Sequence, residues 1–115
     1  MPTAMLAPDL TAATPPADAG NAMAGRAEEA AALLRALSHG GRLLILCHLS
    51  TGEKTVGELE VLLGLRQAAV SQQLARLRQE GLVQPRRNGK SISYRLADPR
   101  VARLIGELYA IFCTP

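Results

Sequence analysis

Residues 55–96 read TVGELEVLLGLRQAAVSQQLARLRQEGLVQPRRNGKSISYRL, and the fold turns on where the apolar period changes inside this stretch. Thr55 and Glu58 have the spacing of a capping box, in which a threonine hydroxyl and a glutamate three residues on satisfy free backbone N–H groups reciprocally. Leu59, Leu62 and Leu63 follow on one face, and Gly64 supplies a stop. A longer helix is expected from Arg66 to Glu80, with Val70, Leu74 and Leu77 as its buried stripe and Gly81 ending it. Two helices joined through Gly64–Leu65 make a helix-turn-helix candidate. After Gly81 the period drops to two, with Ile92, Tyr94 and Leu96 facing one way and Ser91, Ser93 and Arg95 the other. Leu82 and Val83 open a partner strand that Pro85 confines to an edge or an early stop. Asn88–Gly89 is the hairpin signal, because a type I′ turn takes two residues that tolerate positive φ. The hairpin tip then carries Arg86, Arg87 and Lys90.

Upstream, Arg26 to Leu37 places Ala30, Leu33, Leu34 and Leu37 at helical spacing, and Ser38–His39–Gly40–Gly41 breaks the pattern. Arg42 to Leu49 is apolar nearly all round, which marks a short helix at the centre of a core. Downstream, Asp98–Pro99 is an N-cap followed by proline at the first helical position. Val101, Leu104, Ile105, Leu108, Ile111 and Phe112 then recur at spacings of three and four. The expected architecture is mainly α with a β-hairpin wing: a winged helix-turn-helix. The apolar residues of the last helix cover more than one face, more than a domain of about 90 residues buries alone. A symmetric homodimer through the first and last helices is therefore expected.

The first 25 residues hold eight Ala, four of the seven Pro and no Lys or Arg. They read as a disordered leader that buries nothing, ahead of one domain at 26–115. The leader lacks the basic start and apolar block of a signal peptide, and no apolar run approaches the roughly 20 residues of a membrane span. Two cysteines, Cys47 and Cys113, do not make a disulfide-rich scaffold. The expected compartment is a reducing cytosol.

The formal charge of +3 is unevenly placed: residues 66–95 carry +6 and the remainder −3. A cationic block on a helix-turn-helix and hairpin points to double-stranded DNA rather than to an ordinary solvated surface. With Val70, Leu74 and Leu77 inward, the opposite side of the helix presents Ala68, Ser71, Gln72, Ala75 and Gln79, with Gln67 at its start. Small and amide side chains suit a major groove, where glutamine bonds an adenine edge bidentately. Arg76, Arg78, Arg86, Arg87 and Lys90 would lie over phosphates. A dimer would read half-sites of an inverted repeat about 34–36 Å apart, or a multiple of that. No nucleophile–base–orienter set, CxxC or phosphate loop appears, so an enzyme is not expected; two distant thiols would make at best a slow peroxidase. A winged helix used only for protein contacts is the remaining alternative.

The sequence resembles the ArsR family of dimeric winged-helix repressors. The resemblance is carried by Ala36–Leu37–Ser38 with Arg42–Leu43–Leu44–Ile45–Leu46, by Val56–Gly57–Glu58–Leu59 and by Leu63–Gly64–Leu65. It continues through Val70–Ser71–Gln72–Gln73–Leu74–Ala75–Arg76–Leu77, Glu80–Gly81–Leu82–Val83 and Tyr94–Arg95–Leu96. Gly40–Gly41 departs from the family's usual Asp-Pro-Thr before that arginine. Metal-sensing members carry Cys-x-Cys near the start of the third helix or Asp and His ligands on the last. Here Lys54–Thr55–Val56–Gly57–Glu58 has no thiol, Arg100 stands where a histidine would be, and Ile111 and Thr114 supply no ligand. His39 and His48 are too few for a closed zinc site without carboxylates, so no metal and no cofactor is expected. Cys47 and His48 do supply groups able to ligate haem.

Cys47 in the second helix and Cys113 at the end of the last look like the pair of the family's sulfide-responsive branch. That resemblance implies a regulatory dithiol which reactive sulfur links by a polysulfide or disulfide bridge, releasing operator DNA and derepressing sulfide-detoxification genes. A direct disulfide needs Cα atoms within about 7 Å, and inserted sulfur atoms lengthen the reach. From the residues alone, Cys47 is equally a core thiol of the run RLLILCHL. Cys113 lies at the negative end of a helix dipole, which disfavours its thiolate.

Overall fold

The computed structural model describes residues 14–113. The chain divides into two compact units, residues 1–33 and 34–115. Among the described residues the first unit holds α1 (Ala19–Ala24) and most of α2 (Ala27–Leu37). Helix α1 lies within the stretch expected to be a disordered leader. Three of its six residues are alanine, the strongest helix former, and the helix buries no residue. The rest of the expected leader, residues 1–13, lies outside the described residues. Arg26 pairs with Glu29 at 2.7 Å at the start of α2. The expected domain start at residue 26 falls within the first unit; the compact division comes later because α2 buries only Ala36 and Leu37.

In the second unit the order is α3 (Gly40–Leu49), β1 (Lys54–Thr55), α4 (Val56–Leu63), α5 (Gln67–Gln79), β2 (Val83–Asn88), β3 (Ser91–Leu96) and α6 (Pro99–Phe112). Helix α3 starts two residues before the expected Arg42, with His39 as an extended N-cap. The glycine pair enters the helix, since first-turn N–H groups have no intrahelical partner to lose. Ile45, Leu46, Leu59, Val70, Leu74, Leu77, Val83 and Val101 are fully buried and form the core. Each such side chain contributes about 1.5–3 kcal/mol by leaving water.

Local chemistry sets the ends of the elements. The Glu58 backbone N–H donates to Thr55 Oγ1 at 3.0 Å, and the Thr55 N–H donates to Glu58 Oε1 at 2.8 Å, so the capping box is formed. Gly64 takes the left-handed conformation with φ of 65°, which lets the chain turn directly into α5. Asp98 caps α6 by accepting from the Arg100 backbone N–H at 2.9 Å, with Pro99 at the first helical position. The hydrogen bond from the Arg100 side chain, more than the backbone one, holds the Asp98 carboxyl below the usual carboxylate range despite partial desolvation.

The sheet is antiparallel in the order β1-β3-β2, so Pro85 does stand on an edge strand. Strand β1 was not expected. Its two residues, paired as Lys54↔Tyr94 and Thr55↔Ser93, are too few to show a period, yet they tie the start of α4 to the base of the hairpin. The hairpin turn is also displaced by one residue. Asn88 pairs with Ser91 as the last strand position, leaving Gly89–Lys90 as the loop. Only Gly89, with φ of 67°, is left-handed, which is the φ pattern of a type II′ turn with glycine at its first central position.

Replacing Thr55 by Ala removes one half of the capping box. Urea unfolding should show about 1 kcal/mol of lost stability as a lower midpoint with an unchanged slope.

Candidate nucleic-acid interface and thiol pair

The rotation of α5 is set by its buried stripe. Val70, Leu74 and Leu77 are completely buried, while Gln67, Ala68, Ser71, Gln72, Ala75, Arg76, Arg78 and Gln79 are exposed. At 100° per residue this leaves Ala68, Ser71, Gln72, Ala75 and Gln79 on one outward strip with Arg76 beside it. The face is therefore small and polar near the helix start and basic further along. Arg76 and Arg78 make no ion pair among the described residues.

Arg86, Arg87 and Lys90 are all exposed on the hairpin, where they raise a positive potential at its tip. They are not equivalent. Arg86 Nη1 lies 3.5 Å from Glu53 Oε1, so part of its charge is already answered. Ser93 Oγ donates to the other oxygen of the same carboxylate. Glu53 thus ties the segment before β1 to both hairpin strands. Arg87 and Lys90 make no ion pair among the described residues. A second bridge joins α3 to the end of α5: Arg42 Nη1 donates to Glu80 Oε1 at 2.8 Å and to Oε2 at 3.0 Å. Neither Glu53–Arg86 nor Arg42–Glu80 had a signal in the sequence, since 33 and 38 positions separate the partners.

Both cysteines are free thiols, Cys47 half-buried on α3 and Cys113 exposed as the C-cap residue of α6. The Cys113 backbone N–H donates to the Tyr109 carbonyl at 2.8 Å, so the last helical turn fixes where its side chain begins. Burial pushes the Cys47 thiol up from its ordinary value, and the charge of a Cys113 thiolate pushes it further. Cys47 stands on α3 and Cys113 at the end of α6, and these two helices are in contact. Among the described residues no cluster of three or more His, Cys, Asp or Glu side chains is arranged to hold a metal ion. No single described helix is long and apolar enough to cross a membrane.

A helix-turn-helix with a basic hairpin beside it defines a winged-helix DNA-binding regulator. Residues 39–84 match the family model of the bacterial regulatory protein, arsR family. The biofilm growth-associated repressor of Agrobacterium fabrum is 54% identical over 82% of this chain and 80% of its own length. The crystal structure of the transcriptional repressor BigR from Xylella fastidiosa superposes with a TM-score of 0.78 at 48% identity, over 83% of this chain and 97% of that one. A homodimeric winged helix-turn-helix DNA-binding domain from Mycobacterium bovis, solved by NMR, gives a TM-score of 0.67 at 31% identity, over 86% and 88%. This chain belongs to the ArsR family of transcriptional regulators.

The two thiols should alkylate unequally. With iodoacetamide, peptide mass analysis should find Cys113 modified first at neutral pH. Cys47 should accelerate only at more alkaline pH than a free thiol, because the thiolate is the nucleophile and burial withholds it.

Proposed function

We propose that this protein is a homodimeric repressor whose operator affinity is switched by reactive sulfur at Cys47 and Cys113. The outer face of α5, through Gln67, Ala68, Ser71 and Gln72, enters the major groove, while Arg76, Arg78, Arg86, Arg87 and Lys90 lie along phosphates. Exposure of all nine side chains supports this assignment. Tyr109, Ile111 and Phe112 leave an apolar face exposed at the end of α6, as a dimer through that helix would require. The Mycobacterium bovis relative is a homodimer, which favours the same assembly.

The placement of one free thiol on α3 and the other at the end of α6, two helices in contact, is the observation that carries the sensing reading. A low-molecular-weight persulfide transfers its outer sulfur to each thiolate, leaving as a thiol, so that two persulfides stand on the protein. Attack of one upon the other then forms a trisulfide and expels hydrogen sulfide. Sulfur, hydrogen and charge balance without a further oxidant. The bridge draws α3 against the end of α6, and through α6 it alters the dimer that sets the spacing of the two recognition helices. Loss of operator binding derepresses the controlled genes.

The test treats the reduced, full-length protein with glutathione persulfide and, separately, with hydrogen peroxide or oxidised glutathione. Intact mass and operator affinity are measured on the same samples. The expected outcome is a bridged Cys47–Cys113 species carrying added sulfur, with DNA binding weakened after persulfide alone. Unmodified thiols and unchanged affinity would sink the sulfur reading and leave a repressor with another effector. Independently, Arg86→Ala/Arg87→Ala/Lys90→Ala should weaken operator binding and flatten its salt dependence, by about 0.9 in logarithmic slope for each phosphate no longer neutralised.

A further inference from the structure

Between the start of α3 and the outer side of α5 lies a cavity of about 230 Å³, lined by His39, Arg42, Gln72, Gln73 and Arg76. Each of these side chains donates hydrogen bonds, and none is acidic. Their donors are largely unspent. Arg42 is only 12% exposed and uses Nη1 alone, on Glu80; its other guanidinium nitrogens have no partner among the described residues. The side chains of Gln72, Gln73 and Arg76 make no hydrogen bond there either, and His39 does not cap its own helix. Glu80 offsets part of the Arg42 charge, so Arg76 supplies the unanswered positive charge at the rim. Gly41 lies close to two of these lining side chains: a Cβ there would stand 3.4 Å from Gln73 Nε2 and 4.0 Å from His39 Nδ1.

Converging guanidinium, amide and imidazole donors around a small void match the needs of a tetrahedral oxyanion. Gln72 and Arg76 also belong to the outer face of α5, so an anion seated here is continuous with whatever lies along that face. We propose that this cavity seats one backbone phosphate of the bound duplex in each protomer, gripped by His39 and Arg42 from α3 and by Gln73 and Arg76 from α5. The proposal rests on the DNA-binding reading and adds α3 to the interface. Such a contact carries no base information; it fixes the depth and register of α5 in its groove. A free phosphate ion has the same chemistry, and the experiment separates the two.

The probe is a duplex selected from a random pool by the full-length protein, carrying single methylphosphonates stepped along each half-site. At one position, removal of the phosphate charge should weaken the wild-type protein about tenfold. The His39→Ala/Gln73→Ala variant should bind the unmodified duplex about tenfold less tightly and be insensitive to the methylphosphonate at that position. Gly41→Asp should weaken binding and Gly41→Lys should preserve or tighten it, with both variants melting alike, because the new Cβ makes ordinary contacts with the ends of two side chains, Gln73 and His39. No methylphosphonate position whose effect vanishes in the double variant would overturn the phosphate seat. If the double variant binds the duplex normally while inorganic phosphate raises the melting temperature of wild type alone, the cavity holds a free anion and the proposal falls. Retained sensitivity to the wing substitutions in either case leaves the DNA-binding reading standing, whereas failure to select any duplex removes both.

Discussion

The seating of α5 on the core is the constraint on which the rest depends. Val70, Leu74 and Leu77 have no exposure at all, so the helix has one rotational setting. Turning it by one residue, 100°, would expose leucine and bury a glutamine or arginine without a partner. That penalty is what holds Ala68, Ser71 and Gln72 outward. The entry to the helix is equally constrained, by the Thr55–Glu58 capping box and by the left-handed Gly64. Together these devices aim a polar face without spending any of its own side chains on structure.

Two ion pairs then attach neighbouring segments to this frame. Exposed pairs contribute little stability, in the range of about 0–1 kcal/mol. Their consequence is positional. Arg42, mostly shielded, joins α3 to the end of α5 through Glu80, and this holds the guanidinium at the cavity wall. Glu53 joins the segment before β1 to the hairpin through Arg86 and Ser93. A phosphate approaching the hairpin therefore competes with a carboxylate for Arg86 but meets Arg87 and Lys90 unpaired. The three wing cations carry the same formal charge yet differ in what each has available to offer.

The legible and illegible parts divide by distance along the chain. The capping box, the Asp98–Pro99 start of α6 and the stripe of α5 depend on residues one to seven positions apart, and each stands in the structure where the spacing put it. Strand β1 is two residues held by partners some 40 positions away, so no local period announces it. The turn shifted to Gly89–Lys90 because register is settled by the pairing of both strands, and Asn88 is drawn into the ladder opposite Ser91. Helix α1 is hidden in the sequence because the prolines before it, Pro15 and Pro16 nearest, obscure a short segment that buries nothing. His39, Arg42 and Gln73 give no sign of a site for a similar reason, since the cavity exists only once α3 lies against α5.

The thiols illustrate how packing creates an asymmetry that composition does not contain. Residues 47 and 113 are the same side chain, yet one is half-buried within a core helix and the other is exposed at a helix end. Burial withholds the Cys47 thiolate, and a charged Cys113 withholds it further. In the proposed sensing chemistry, an exposed thiol and a reluctant one would divide capture from resolution, because the first sulfur transfer would fall to the accessible partner. Under that proposal, a sulfane sulfur on Cys113 would make a bridge longer than a disulfide available. Attack by Cys47 on the inner sulfur would only close a disulfide and release the captured atom, whereas condensation of two persulfides retains one. Under the proposed sensing chemistry, the separation that α3 and α6 impose would select between the two bridges, so helix packing as well as thiol acidity would set the selectivity.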